Sequence, residues 1–225
     1  RAWCARGHHH DVENAGAARP ESKKKTLYAS EQKRQDVAQA RAHWEQEWAG
    51  LSAGAVVFLD ETWASTNMAL TRGRSPKGQR CVGYVPLAQR QTTTLVCALR
   101  ETGLVAPCVF DGPINGQAFV AWIQQMLVPE LKEGDTVIMD NLPSHKVPGV
   151  REAIEQARAK VLYLPPYSPD MNPIEHVFAK LKTQLRRVAA RTRQALEQGI
   201  AQLLDVFTPA ECTHYIRHGC YSSSG

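Results

Sequence analysis

Residues 163–185 decide the fold, and they read Tyr163-Leu-Pro-Pro-Tyr-Ser-Pro-Asp-Met-Asn-Pro-Ile-Glu-His-Val-Phe-Ala-Lys-Leu-Lys-Thr-Gln-Leu185. Prolines at positions 165, 166, 169 and 173 exclude regular structure before residue 173, because each lacks a backbone donor and disfavours helix in the residue before it. From there on, apolar residues recur at 174, 177, 178, 181, 185 and 188, which is one face of a helical period. The segment therefore predicts an irregular loop followed by an amphipathic helix.

Glu175, near the start of that helix, has two interpretations. In the first it completes a capping box, in which Asn172 caps the helix, Pro173 takes the first helical position and Glu175 bonds back to the cap. In the second it is a ligand for a metal or a substrate. The helical period places it at the edge of the apolar stripe, with Lys182 and Arg186 within about 20° of the same line. The segment alone leaves both interpretations open.

Length and composition narrow the class of protein. A chain of 225 residues suggests one domain with room for a sizeable core. The net charge of +5 weakly favours a polyanionic partner. The sequence has no apolar run of about 18 residues and no signal-peptide stretch, so we expect neither a membrane span nor export. None of the six cysteines forms a C-x-x-C pair, so we interpret them as reduced thiols of a cytoplasmic protein.

The remaining pattern alternates strands and helices. Residues 1–29 show no period and are predicted to be disordered or a linker remnant, while residues 30–225 form the domain. Ser30 is predicted to cap a helix that runs to about Trp48. Strands are predicted at 55–59, 92–100, 104–110, 136–139 and 160–164, and further helices at 116–128, at 147–158, after Thr192 and after Thr208. This order predicts an α/β or α+β sheet with helices packed on its faces.

Two of the predicted strands lead into an aspartate, at Asp60 and at Asp140. Each aspartate alone fits an ordinary turn residue. If the two strands are parallel neighbours, however, the carboxylates lie side by side at their carboxyl ends, where open α/β sheets form their sites. Two such carboxylates repel each other unless a cation neutralises them, and with Glu175 nearby the three acids suit Mg²⁺ or Mn²⁺. A pair of such ions supports phosphoryl transfer on a phosphodiester.

Basic residues cluster in two stretches near the predicted site. One is a loop punctuated by glycine and proline, and the other is the helix that begins near Glu175. We expect them to contact the phosphates of a nucleic acid, although a solvated helix face would carry similar charges. The predicted contact residues are Arg72, Arg74, Lys77, Arg80, Lys180, Lys182, Arg186 and Arg187.

Three motifs carry a resemblance to a known family: Phe58-Leu-Asp60-Glu-Thr62, Met139-Asp140-Asn-x₃-His145-Lys146 and Leu164-Pro-Pro-Tyr-Ser-Pro-Asp-Met-Asn-Pro-Ile-Glu175. Together they resemble the catalytic core of DDE transposases of the mariner-like superfamily, and within it the bacterial insertion-sequence 630 family. The 34 residues between Asp140 and Glu175 match the spacing that is typical of that superfamily.

The resemblance implies a ribonuclease-H-like fold, with a mixed sheet, helices on both faces and C-terminal helical additions. It implies that Asp60, Asp140 and Glu175 bind two divalent ions, Mg²⁺ or Mn²⁺, cut DNA at transposon ends and join the freed 3′ hydroxyl to target DNA. A homodimer, and a location at the nucleoid in the bacterial cytoplasm, are consistent with it. The same motifs contain three candidates for supporting the metal ligands, Asn141, His145 and Asn172.

Full-length members of that family begin with helix-turn-helix domains, and nothing before residue 30 reads as one. We therefore expect this domain to be absent from the chain, and to be supplied separately or through a frameshifted fusion. Two other functions stay open. One is a different nuclease on the same fold, such as one for RNA–DNA hybrids, and the other is an inactive, DNA-binding remnant of an insertion sequence.

Overall fold

A computed structural model describes residues 29–86 and 90–218, and one mixed sheet of five strands organises them. The strands are β1 (Val56–Ser65), β2 (Thr92–Arg100), β3 (Gly103–Asp111), β4 (Thr136–Met139) and β5 (Lys160–Tyr163), in the spatial order β3-β2-β1-β4-β5. β2 pairs antiparallel with both β1 and β3, whereas β4 pairs parallel with both β1 and β5. The predicted linker at 1–29 lies outside the described residues, except for residue 29.

Helices cover both faces of this sheet. They are α1 (Gln35–Ala49), α2 (Gly116–Trp122), α3 (Val150–Gln156), α4 (Ile174–Val188), α5 (Arg193–Leu204) and α6 (Pro209–His218). Alternate strand residues point to opposite faces, so Phe58 of β1 lies in the core under α1, α4, α5 and α6, and Leu59 lies in the core under α2 and α3. This confirms the predicted α/β fold, with helices on both faces and further helices at its C-terminal end. None of the helices in the described part of the chain is long and apolar enough to span a membrane.

β1 is longer than predicted. The sequence predicts a strand that ends before Asp60, but β1 continues to Ser65. The cause is its neighbour β2, which pairs antiparallel with β1 from Phe58 to Ser65, beyond the point where parallel pairing with β4 stops. Asp60 therefore lies inside a strand and is not a turn residue.

Two helices begin later than predicted, and one changes type. A 3₁₀ turn at Ser30–Lys33 precedes α1, which begins at Gln35, and the Ser30 side chain caps neither of them. The helix predicted from residue 147 begins only at Val150. Gly149 has a left-handed φ of 95°, which an α-helix cannot contain, so the helix starts after it. A π-helical turn, Ile123–Leu127, follows α2 where the sequence predicts a continuous helix to residue 128.

Candidate active site

The pairing of β1 with β4 brings Asp60 and Asp140 to the same level of the sheet. The parallel register aligns Phe58 with Ile138, and in both segments the aspartate follows two residues later. Both carboxylates thus stand at the carboxyl end of the parallel pair, where open α/β sheets form their sites. Asp60 is buried, with 7% of its surface exposed, whereas the side chain of Asp140 is 33% exposed.

A cleft of about 470 Å³ opens at this end of the sheet. Asp60 and Asp140 line it, and so does Glu175 from the first turn of α4. The proline-rich loop at 164–169 forms much of the remaining wall, together with Asn141 and Asn172. The three acids named by the sequence analysis therefore line one cavity, although they come from three distant points of the chain.

Asp60 is held by two hydrogen bonds. Its Oδ1 accepts from the backbone N–H of Glu61 at 2.8 Å, and its Oδ2 accepts from Nδ2 of Asn172 at 2.9 Å. Burial raises the pKa of Asp60 well above its usual range, and the charges of Asp140 and Glu175 add to that rise. A cation in the cleft would oppose this effect, because an opposite charge favours the ionised carboxylate.

Asp140 is held from the side by a buried histidine. Its Oδ1 accepts from the backbone N–H of Leu142 at 3.2 Å and lies 2.6 Å from Nδ1 of His145. The other ring nitrogen of His145, Nε2, lies 2.7 Å from Oε2 of Glu61. Burial would lower the pKa of His145, but the carboxylates of Asp140 and Glu61 outweigh it and raise that pKa to about 10. Each ring nitrogen thus faces a carboxylate: Nε2 makes a hydrogen bond with Glu61, and Nδ1 makes a short contact with Asp140 that lacks hydrogen-bond geometry.

Glu175 is the least restrained of the three acids. It is exposed, and its side chain makes no hydrogen bond or ion pair with another described residue. Partial desolvation beside the cleft raises its pKa, with a smaller contribution from Asp140, while Lys182 opposes the rise. The capping-box interpretation of Glu175 is wrong, because Pro173 occupies the N-cap position and Asn172 does not cap the helix. The Asn172 amide bonds to buried Asp60 instead, so the Glu175 carboxylate is not engaged by the helix start.

The donor atoms of the cleft suit a hard divalent ion. Within the described ranges, no three or more His, Cys, Asp and Glu side chains are already gathered around one metal position. The three acids thus line one cleft without forming a closed ligand set among the described residues. Carboxylate and amide oxygens are what Mg²⁺ and Mn²⁺ prefer. Beside the acids, Oδ1 of Asn141 and Oδ1 of Asn172 are buried without a hydrogen-bond partner and offer further oxygens.

Lys182 connects the acidic cleft to an exposed aromatic ring. Its ammonium lies 5.1 Å from the centre of the Trp63 ring, and Trp63 is 58% exposed. Desolvation lowers the pKa of Lys182, while the charges of Glu175 and Asp60 act in the opposite direction. Lys182 therefore interacts electrostatically with two acids of the cleft, Glu175 and Asp60. The helical period places Lys182 on the same side of the helix as Glu175.

The other predicted DNA contacts fall into two groups. Arg186 and Arg187 line a groove of about 760 Å³ next to Trp63, and the basic residues of the β1–β2 connection are all exposed. They include the predicted contact residues Arg72, Arg74, Lys77 and Arg80. Lys180 is different, because its ammonium pairs with Glu211 at 2.7 Å. The same ammonium lies 4.7 Å from the centre of the Phe207 ring.

Two supports of the site were not predicted. Glu61 is one, and its only signal in the sequence is that it directly follows Asp60. Arg41 of α1 is the other: its Nη1 donates to Ser168 Oγ at 2.7 Å and its Nη2 bonds to Asp170 Oδ2 at 2.7 Å. Gln32 adds a bond to the carbonyl of Tyr167 at 2.7 Å. The segment before β1 thus anchors the proline-rich wall of the cleft.

Solved structures with this fold define its class. The chain superimposes on a Mos1 transposase paired-end complex with the left transposon end, with a TM-score of 0.70 at 16% identity. The superposition covers 92% of this chain and 67% of the Mos1 chain. The Mos1 mariner paired-end complex with Mg gives a TM-score of 0.72 at 16% identity, over 89% of this chain and 64% of the other. The Mos1 mariner catalytic domain gives 0.61 at 16% identity, over 88% and 93%. The domain is thus ribonuclease-H-like, and it spans about two thirds of the longer Mos1 chains.

The family follows from the sequence comparison. Residues 55–197 match the model of the DDE superfamily endonucleases. Because this match covers more than half of the chain, the protein belongs to that family. No curated protein matches the sequence significantly.

Proposed function

We propose that this chain is the catalytic domain of a transposase of the mariner-like superfamily, in its insertion-sequence 630 branch. Its activity is metal-dependent cleavage of DNA at transposon ends, followed by joining of the 3′ hydroxyl to target DNA. The observation that carries the proposal is the parallel register of β1 and β4, which sets Asp60 and Asp140 level at one edge of the sheet. Family membership and the presence of Glu175 in the same cleft support it.

Asp60, Asp140 and Glu175 are the proposed ligands of two Mg²⁺ or Mn²⁺ ions. When bound, such ions activate the attacking oxygen and stabilise the leaving oxygen of a phosphodiester. The protein's own part is to orient the ligands: Asn172 holds Asp60 through its amide, and His145 holds Asp140 through Nδ1. Mos1 paired-end complexes solved with Mn and with Mg support divalent-metal use by this fold.

DNA is the proposed partner. Cations of α4 lie beside the cleft, and the charge of Lys182 acts on Glu175. Phosphate contacts by such side chains fix the register of the duplex without reading its sequence. We propose the exposed residues Arg72, Arg74, Lys77 and Arg80, together with Lys182, Arg186 and Arg187, as the backbone contacts, and not Lys180, which is paired with Glu211.

The domain proposal follows the same family. Residues 30–225 form the catalytic domain, and residues 1–29 are a linker segment. A helix-turn-helix domain that recognises the transposon ends is a further proposed partner. A homodimer of the domain, acting on DNA at the nucleoid of a bacterial cytoplasm, completes the proposal.

The experiment is a nicking and strand-joining assay on DNA that carries a transposon end, in Mg²⁺. We expect Asp140→Asn to remove both activities while the far-ultraviolet circular dichroism stays unchanged, because the charge is lost and the volume is kept. Asp205→Asn, an exposed aspartate after α5, is the matched control and should behave like the parent protein. An Asp140→Asn variant as active as the parent would remove the site. Cleavage without joining, or a preference for RNA–DNA hybrid, would point to another nuclease on this fold.

A further inference from the structure

Glu61 lies next to Asp60 in β1 but serves the opposite face of the sheet. Neighbouring strand residues point to opposite sides, so one carboxylate enters the cleft and the other faces the core under α2 and α3. There the Glu61 carboxylate meets His145, with Oε2 at 2.7 Å from Nε2. The Glu61 side chain is 22% exposed and His145 is fully buried, so this contact is shielded from solvent.

Stacking and two carboxylate contacts restrain the ring of His145. Phe119 of α2 stacks on it with ring centres 4.6 Å apart. The backbone of His145 is also fixed, since its N–H donates to the Leu142 carbonyl at 3.1 Å and its carbonyl accepts from the Tyr163 hydroxyl at 3.2 Å. Stacking on Phe119 restrains rotation of the ring about the Cβ–Cγ bond, and the Glu61 contact at Nε2 restrains it further.

Asp140 depends on that ring for its orientation. It follows the last residue of β4, so no strand pairing holds its side chain. Its Oδ1 makes both contacts, with Leu142 N–H and with His145 Nδ1, and its Oδ2 has no hydrogen-bond partner among the described residues. An oxygen that is oriented but unused is what a metal ligand requires, and outer partners of ligands set that orientation.

We infer that Glu61 is a positioning residue of the metal site: acting through His145, it holds Oδ1 of Asp140 so that Oδ2 is presented to the ion. This inference rests on the proposed function. It assigns a role to an acid that is not among the residues lining the cleft. It also explains why an acid is tolerated at a half-shielded position on the apolar face of β1.

The competing explanation is that the Glu61–His145 pair only stabilises the fold. Three variants separate the two. Glu61→Ala removes the contact, Glu61→Asp keeps the charge but is one methylene too short, and Glu61→Gln keeps an oxygen that can accept from Nε2–H. The probe is Mn²⁺ alone, titrated into the full chain and followed by electron paramagnetic resonance or calorimetry.

We expect Glu61→Ala and Glu61→Asp to weaken Mn²⁺ binding by about 10- to 100-fold, the usual loss for an outer partner of a ligand, and Glu61→Gln to recover most of it. The stability control is Asp135→Ala at the other end of β4. Asp135 is buried and pairs with Arg100 at 2.5 Å, so its loss lowers the melting temperature without touching the cleft. It should leave Mn²⁺ affinity at the parent value.

Each result then decides something. If the Glu61 variants bind Mn²⁺ like the parent, or if Asp135→Ala weakens binding equally, Glu61 has no positioning role. If Glu61→Ala does not fold, the contrast between Glu61→Asp and Glu61→Gln still decides, and equal affinity of those two overturns the inference. A parent protein that neither binds Mn²⁺ nor nicks DNA overturns the proposed function itself. A parent that does both, beside unaffected Glu61 variants, overturns only this inference.

Discussion

The two sides of the acidic cleft differ in how firmly their carboxylates are held. On the sheet side, Asp60 accepts two hydrogen bonds, and Asp140 is fixed by a backbone amide and by His145. On the helix side, Glu175 is exposed and makes no hydrogen bond to another described residue. The sheet side therefore holds two carboxylates in place, and α4 carries a third that no side-chain contact with a described residue restrains.

This difference follows from where the residues lie. Asp60 lies in β1, where pairing with β2 fixes its backbone, and its buried carboxylate must find hydrogen bonds because an unpaired buried carboxylate is costly. Asp140 follows the end of β4 and is held by the contacts of its own side chain. A residue in the first turn of a helix has one free face and stays solvated. In the site that we propose, the bound ion would draw in Glu175 to complete the ligand set. Preorganisation is thus concentrated in the two aspartates.

The largest expected effect tests the movable acid. Glu175→Gln should lower DNA nicking by at least about 100-fold, more than the loss of an outer partner would cause. Its free energy of unfolding without metal should change by no more than about 0.5 kcal/mol, as for an ordinary surface substitution. Nicking assays and urea titrations measure the two. A large loss of stability would mean that the folded protein holds the Glu175 side chain as firmly as that of Asp60. The contrast between the two sides of the cleft would then be wrong.

The second prediction concerns the entry of DNA on the helix side. Replacing both Lys182 and Arg186 by alanine should flatten the dependence of log affinity on log salt by about 1.8, since each lost phosphate contact to duplex DNA contributes about 0.9. The effect should be the same for all sequences. Lys180→Ala is the matched control, because its ammonium is paired with Glu211. Equal slopes for the double variant and for Lys180→Ala would remove this face of α4 from the interface.

The third prediction tests how the wall of the cleft is held. Arg41 bonds to Ser168 and Asp170, with side chains of the ion pair only 21% and 33% exposed. Arg41→Ala should cost about 1.5–3 kcal/mol of unfolding free energy, the range for hydrogen bonds to charged groups. Arg34→Ala is the control, because its pair with Asp36 is largely exposed and should contribute nothing measurable. Equal losses in the two variants would contradict an anchoring role for α1.

These long-range contacts mark the boundary of what the sequence could reveal. The apolar stripe of α4 and the strands before Asp60 and Asp140 follow local periods, and the structure contains them. Glu61 and His145, by contrast, are 84 positions apart, and Arg41 and Asp170 are 129 apart. Such pairs leave no period in the sequence, because only the assembled sheet brings them together.

Asn172 shows why a local signal can mislead. Asn followed by Pro and then by Glu at the third position reads as a helix start, and the local sequence is the same whichever partner the amide chooses. In the folded protein a buried carboxylate, Asp60, competes for that amide and takes it. The helix then begins one residue later, at Ile174, and closes its first turn with backbone bonds alone.

The fourth prediction measures how much the preorganised pair gains from an ion. At ten times its dissociation constant, Mg²⁺ should add about 1.4 kcal/mol of stability, which corresponds to about 3–6 °C in melting temperature for a chain of this size. Asp60→Asn should abolish this shift, and Asp205→Asn should keep it. Thermal melts with and without Mg²⁺ give the answer. A shift that survives in Asp60→Asn would place the ion elsewhere.

The smallest expected effect is a pH dependence at the cleft wall. Burial alone would raise the pKa of Asp170, but the hydrogen bond from Arg41 outweighs it and holds that pKa below its ordinary value of 3.8. Because the folded-state pKa is the lower one, the contribution to stability is fully present above the unfolded value and is lost as pH falls through the folded value. Melting temperatures below about pH 4 should therefore fall more steeply for the parent than for Asp170→Asn, which has no proton to bind at this position. Asp205→Asn should follow the parent, and parallel curves for Asp170→Asn and the parent would show that Arg41 does not anchor the loop through this charge.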